Sequence, residues 1–369
     1  MANSINGVPL KLIAFLFFCG VLIILSPGGL CQSVPGVYIF GDSLVDVGNN
    51  NHLALSLIKA DFPHNGVDFP TGEATGRFSN GKNPADFLAE KVGLPLAQPY
   101  LSLVSKWKTS NTYPITGVNF ASGGAGLFNR TDLVEQAISL TQQVEYYTLV
   151  YEQLVRELGS DGAQTHLAKS LFVIVIGSND LFGYFRNNSK VSKKYTPQQY
   201  VDLMASTFKQ FIKTLYGMGA RKFVVTGVGM IGCCPRQRKQ NPTKECDVEA
   251  NYWSRKYSND LILLLKDLKS ELSYINYSYF DTYNAMNNII QNPQAYGITE
   301  IEEACCGLGN LKADIPCIPI STYCPDRRNH LFWDFVHPTE TVSSIFADLF
   351  YNGPQNITFP INVQQLIEL

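Results

Sequence analysis

The sequence predicts an α/β fold: three layers, α/β/α, built on a mostly parallel five-stranded sheet. Three observations lead there. Five apolar runs, Val37–Phe40, Gly117–Ala121, Leu171–Gly177, Lys222–Val228 and Tyr274–Phe280, lack the strict alternation of a strand with one wet face, so they read as strands covered on both sides. Helical patterns separate them, and the order strand, helix, strand, helix is that of a doubly wound parallel sheet. After the first thirty or so residues no repeat and no low-complexity linker divides the chain.

Taken in order, residues 1–31 read as a secretory leader. Lys11 precedes an uncharged apolar run from Leu12 to Leu25, and Ser26-Pro27-Gly28-Gly29 breaks it. That run is short for a bilayer span, and its flanks suit a signal peptide better than an anchor. Cleavage is expected between residues 29 and 34, leaving 32–369 as a single domain without a transmembrane segment. Val37–Phe40 is the first strand. Phe62 to Asn83, rich in Gly, Pro and Asn, reads as an ordered loop. From Leu133 apolar residues recur at 137, 140, 144, 147, 151, 154 and 158, the spacing of a long helix packed on a sheet. Thr196-Pro197-Gln198-Gln199 opens another helix, with Thr196 as cap, Pro197 in the first turn and Gln199 closing a capping box, and Gly217 and Gly219 end it. A third runs from about Asp247 to Leu272. The final strand, Tyr274–Phe280, alternates in part and suits a sheet edge.

Composition bounds the function. Apolar residues make up 45% of the chain, and the net charge is −2 with no long basic run, which argues against nucleic-acid binding. Four sequons, at Asn129, Asn187, Asn276 and Asn356, are glycosylation candidates. Cysteines cluster late, at 233, 234, 246, 305, 306, 317 and 324, which fits a local disulfide framework in an oxidising compartment. Zinc is the rival, but no C-x-x-C pair and no histidine is spaced among them. Seven is odd, so one thiol is left over. No metal or other cofactor is expected, and the oligomeric state is left open.

In open α/β sheets ligands sit beyond the carboxyl ends of the strands. There the sequence places Ser43, then Ser122-Gly123-Gly124-Ala125-Gly126, then Gly177-Ser178-Asn179-Asp180. Near the C-terminus come Asp334 and His337. A serine hydroxyl needs a base, and His337 is the candidate. Asp334, three residues earlier, can hold the imidazole in one tautomer, and Pro338 suits the first turn of a helix that would present His337 at its mouth. An oxyanion needs preorganised donors. Gly124 N–H, the Asn179 side chain and Ser43 N–H at a helix N-terminus can supply them, with Gly123 as the alternative to Gly124.

These blocks carry a resemblance. Phe40-Gly41-Asp42-Ser43-Leu44, Gly117-Val118-Asn119-Phe120-Ala121-Ser122-Gly123-Gly124-Ala125-Gly126, Ile176-Gly177-Ser178-Asn179-Asp180 and Asp334-Phe335-Val336-His337-Pro338 resemble the GDSL esterase/lipases of the SGNH hydrolase superfamily. Thr75-Gly76-Arg77-Phe78-Ser79-Asn80-Gly81 and Ala304-Cys305-Cys306-Gly307 resemble its secreted plant branch. The resemblance implies a flavodoxin-like SGNH hydrolase fold. It also implies Ser43 as nucleophile, Asp334 and His337 completing the triad, and Ser43, Gly124 and Asn179 as the oxyanion hole. The implied substrate is a small-molecule, lipid or cell-wall ester, and the implied location extracellular, in the wall or apoplast. One departure is visible: Cys233-Cys234 doubles a single family cysteine, which points to Cys234 as the odd thiol.

Other readings compete. Ser43 or Asn179 can be a helix cap, Asp180 is the better cap beside Asn179, and His330 is the reserve base. Arg77 reads as a tie between the long loop and the core, and Asp42 and Asp46 as loop-orienting acids. Gly227-Val228-Gly229-Met230-Ile231-Gly232 matches a dinucleotide fingerprint, but Cys233-Cys234-Pro235 follows where a helix should run. An acyltransferase, or a catalytically silent glycan- or lipid-binding wall protein, would share the same scaffold.

Overall fold

Strand β1 (Val37–Gly41) is buried at all five positions, as a strand between two helical layers must be. In this computed structural model residues 33–104, 112–129 and 137–369 are described; the expected leader lies outside them. β1 pairs in parallel with β4 (Leu171–Val175), β4 with β5 (Lys222–Thr226) and β5 with β6 (Asn276–Phe280). The register runs without a slip, Gly41 opposite Val175 and Thr226 opposite Phe280, so these strands end level with one another. On the other flank β1 pairs with β3 (Val118–Asn119), which is shorter than expected, though Phe120 and Ser122 N–H still donate to Ile39 O and Gly41 O, and the Asn119 amide bonds Val45 O and Ala121 N–H.

The sheet has seven strands in the order β11-β6-β5-β4-β1-β3-β2. The five expected strands are its body. Two-residue strands β2 (Gln98–Pro99) and antiparallel β11 (Thr358–Phe359) add its edges, too short for any pattern to reveal. β6 is therefore not the edge itself. Alternate residues of each strand enter opposite layers. Tyr38, Phe40, Phe172 and Phe223 pack with Tyr147, Phe208, Phe211 and Leu261. Ile39, Val173, Val224 and Phe280 pack with Leu88 of helix α1 (Pro84–Lys91) and with Phe350.

Helix α2 (Leu140–Lys169) starts later than Leu133: Ser139 caps it by accepting from Gln142 N–H at 3.3 Å. Residues 130–136 are outside the described ones. Tyr147 and Leu154 of the expected apolar seam are buried, but Leu158 is exposed, because Gly159 (φ 73°, ψ 166°) breaks the helix beside it. Helix α3 (Ser178–Tyr184) follows β4. Helix α4 (Pro197–Gly217) carries the expected capping box of Thr196 and Gln199, and α5 (Val248–Glu271) is capped by Asp247. Helix α6 spans Thr282–Gln291 and α7 Glu340–Asn352. The fingerprint at 227–232 leads into a short 3-10 turn, Ile231–Cys233, not a helix. Its glycines serve close packing: a Cβ on Gly227 would lie 2.2 Å from the Tyr279 hydroxyl and one on Gly232 2.1 Å from Asp247 O.

Disulfides join Cys233 to Cys246, Cys305 to Cys324 and Cys306 to Cys317, and Cys234 is a buried free thiol. The latter two bridges pack around Trp333, which is fully buried and donates its indole N–H to Asn65. Trp333 belongs to the segment that follows β10 (His330–Phe332), paired in parallel with β7 (Glu300–Ala304). Short strands β8 (Cys306–Gly307) and β9 (Thr322–Tyr323) close the stapled loop.

The 62–83 loop contains neither helix nor strand. Its tie is Arg77, whose guanidinium meets both oxygens of Asp86 at 2.6 Å. Both residues are buried, and Asp86 also accepts from Asn83 N–H at the start of α1. Removing one partner of such a pair strands the other charge out of water. Arg77→Ala is expected to cost about 3–5 kcal/mol in denaturant unfolding, and Arg77→Lys a large part of that, since an ammonium cannot make the fork.

Candidate active site

Because β1, β4, β5 and β6 end level, the segments that follow them converge. Gly41 (φ 154°) leaves no room for a side chain: a Cβ there would lie 2.2 Å from Val175 O. The chain then enters a single turn, with Val45 and Asp46 N–H groups donating to Asp42 O. Ser43 thus sits on an isolated turn rather than at the helix N-terminus that the sequence suggested. Asp46 ends the turn by accepting from Gly48 and Asn49 N–H and, through its other oxygen, from Gly123 N–H. No helix starts at Ser43 to lend a dipole, and the short 3-10 turn Asn49–His52 that follows is preceded by Gly48, so Ser43 caps nothing.

His337 arrives from the far end of the chain. Its Nε2 lies 2.7 Å from Ser43 Oγ, and its Nδ1 lies 2.7 Å and 2.9 Å from the two Asp334 oxygens. Asp334 Oδ1 also accepts from the backbone N–H of Val336 and His337, which fixes the carboxylate before the ring meets it. Trp333 N–H donates to His337 O, closing the loop on the disulfide-packed indole. Helix α7 starts at Glu340 behind a Thr339 cap, so Pro338 precedes the cap instead of opening the first turn. His330 is engaged elsewhere: its Nδ1 faces Asp326 O and Asn329 Oδ1.

Asn179 stands in the first turn of α3, where Gly177 is the cap residue, so neither Asn179 nor Asp180 caps the helix. The Asn179 amide donates to Ala125 O at 2.9 Å, and Asp180 accepts from Leu127 N–H. These contacts tie α3 to the 122–127 loop. The Gly123 N–H donates to Asp46, which removes it as the alternative oxyanion donor. Gly124 holds a left-handed conformation (φ 84°) that favours glycine.

Several supporting residues escaped the sequence reading. Gln143 of α2 accepts from Gly41 N–H and donates to Gly41 O, clamping the residue two before Ser43. Asn49 donates to Asn119 O and Ala121 O, and Asn50 to Gly123 O. The Phe78 ring packs on the His337 imidazole at 5.1 Å between centroids. Of these only Phe78 lies inside a quoted block, and partners some seventy residues or more away carry no local pattern.

Three buried carboxyls lie close to the Ser43 turn. Burial pushes Asp42 up to about 7, Asp46 up to about 6 and Asp180 up to about 7, the last helped by the Asp42 charge. Asp42 Oδ1 accepts from Leu44 N–H, while its buried Oδ2 has no hydrogen-bond partner. An acid that holds its proton more tightly when folded contributes stability that is fully present below the unfolded value, near 3.8, and lost as pH rises through about 7. Asp180→Asn removes that titration. Its stability relative to the parent chain is expected to rise between pH 5 and pH 8 in urea unfolding, and a constant gap would discount the buried charge.

The profile of the GDSL-like Lipase/Acylhydrolase family matches residues 37–350. The Arabidopsis thaliana GDSL esterase/lipase At5g55050 is 48% identical over 98% of this chain and 99% of its own length. GDSL esterase/lipase At3g50400 of the same plant is 38% identical, with both chains fully covered. Among solved structures, a catalytic mutant of the acetylxylan esterase Axe2 from Geobacillus stearothermophilus covers 87% of this chain and 94% of its own at 12% identity, with a TM-score of 0.37, too low to bear on function. With the profile spanning every block of the site and relatives aligned end to end, this chain belongs to the GDSL-like lipase/acylhydrolase family and is a carboxylic ester hydrolase.

Proposed function

We propose that the chain hydrolyses carboxylic esters through an acyl-enzyme on Ser43. The observation that carries this reading is the continuous line Asp334–His337–Ser43, each link 2.7 Å long at its shortest. Ser43 Oγ attacks the ester carbonyl carbon while His337 Nε2 takes its proton. Asp334 keeps Nδ1 protonated and offsets the charge of the imidazolium. The carbonyl electron pair moves onto oxygen, facing Ser43 N–H, Gly124 N–H and the Asn179 amide. When the pair returns, the bond to the alcohol breaks and His337 gives its proton to the departing oxygen. Water then repeats the sequence on the Ser43 ester, releasing the carboxylic acid and restoring the hydroxyl.

The leader at 1–31 supports secretion, and so does the disulfide framework. Asn129, Asn187 and Asn356 are exposed, as glycan acceptors must be, whereas Asn276 lies half-buried in β6 with its amide bonded to Tyr274 O and the Lys269 ammonium. Of the described residues, no helix is long and apolar enough to cross a membrane.

Ser43→Ala is expected to lower kcat by roughly 10⁴-fold or more and to abolish labelling by a fluorophosphonate probe. Asn179→Ala is expected to lower kcat by about 10²–10³-fold with a smaller change in KM. Full turnover by Ser43→Ala would overturn the mechanism. Product analysis with an added alcohol tells hydrolysis from acyl transfer.

A further inference from the structure

A cavity of about 120 Å³ opens at Ser43 and His337 and runs inward between the sheet and α7. The sheet wall includes Val175, Val224 and Phe280, and the helix wall Val342, Phe346 and Phe350. The three helix residues are spaced by four and so share one face. Eight residues of helix cover about 12 Å, so the cavity is a slot rather than a dimple. Beyond the mouth its polar side chains are Thr226, Thr282 and the Cys234 thiol.

We propose that this slot holds the acyl chain of the ester, and that the enzyme is built for medium-length aliphatic acids. The inference rests on the hydrolase reading above and extends it to substrate class. An extended chain advances about 1.2 Å per bond, so a helix wall about 12 Å long matches an acyl chain of roughly eight to twelve carbons and falls short of palmitate. An acetyl group would leave most of it unfilled. A sugar would leave its hydroxyls without partners against valine and phenylalanine walls.

The direction follows from the two-step chemistry. The alcohol must leave before water attacks, whereas the acyl group stays bonded to Ser43 throughout. An apolar slot running inward from Ser43 suits the half that stays and hinders the half that leaves. The alcohol moiety is therefore assigned to the open side of the site. Val342, just inside α7, follows His337 closely in the chain, and Phe350 lies two turns farther along the same wall, away from the reacting groups.

The test is a set of p-nitrophenyl esters, from acetate through butyrate, octanoate and decanoate to palmitate, assayed with the mature chain below micelle-forming concentrations. The expected kcat/KM rises by about two- to fourfold per added methylene up to octanoate or decanoate and falls at palmitate. Val342→Phe should narrow the slot and lower the decanoate-to-acetate ratio at least tenfold. Phe350→Ala should move the optimum to longer chains, which keeps the test open if the larger side chain prevents folding. Acetate turnover with a flat or falling profile, or ratios unmoved in both folded variants, overturns the acyl-slot assignment while leaving the hydrolase reading intact. Inactivity on every ester together with no fluorophosphonate labelling removes the hydrolase reading, and the slot assignment with it.

Discussion

A hydrogen bond of 2.7 Å between residues 294 positions apart in the chain is the constraint around which this protein is organised. Serine is a useful nucleophile only while the imidazole stays within reach, and a base free to rotate would spend little time there. Each partner therefore has its own anchor. Ser43 is held by β1, by the Gln143 clamp on Gly41 and by Asp46 beneath the turn. His337 is held by Asp334, by the Phe78 ring and by a loop closed on Trp333 between two disulfides. The bridges brace this loop as well: Cys305 and Cys306 N–H groups donate to Phe332 O and Trp333 O, the residues that lead into Asp334.

Holding loops together in the interior demands polar groups there, and these oppose stability. Asp42, Asp46 and Asp180 are all fully buried next to the nucleophile. Asp46 is compensated by three backbone N–H groups from two loops, whereas Asp42 leaves one oxygen unpartnered. A core optimised for stability alone would replace such acids with apolar residues. Their presence fits a site whose loops must hold one geometry. The apolar slot beside them is the complementary half: acids and amides fix the reacting atoms, and valine and phenylalanine side chains leave room for the part of the substrate that does not react.

Much of this was legible in the residues. The capping box at Thr196 is a local hydrogen-bond pattern, so it reads directly from adjacent positions, as does the start of the next helix near Asp247. The five long apolar runs are strands for a comparable reason, since burial on both faces leaves no polar alternation to hide them. Ser43, Asp334 and His337 stood out as candidates because the proposed chemistry demands those residue types, and the structure brings the three side chains together. The errors have different causes. The helix expected after Ser43 is ended by a tertiary contact, Asp46 bonded across to Gly123, whereas the helix opening at Pro338 and the seam through Leu158 pass over local signals, the Thr339 cap and Gly159 at positive φ.

What the sequence determined by itself is the alternation of strand and helix and the identity of the reactive groups, because hydrophobic period, capping and side-chain chemistry are properties of neighbouring residues. What only the tertiary structure decided is distance and shape. The pairing of His337 with Ser43 rather than His330, the loss of Gly123 as a donor and the slot between the sheet and α7 all depend on segments brought together by strand register and helix packing. Long-range contacts of that kind follow from the closing of the whole core, and no local stretch of residues encodes them.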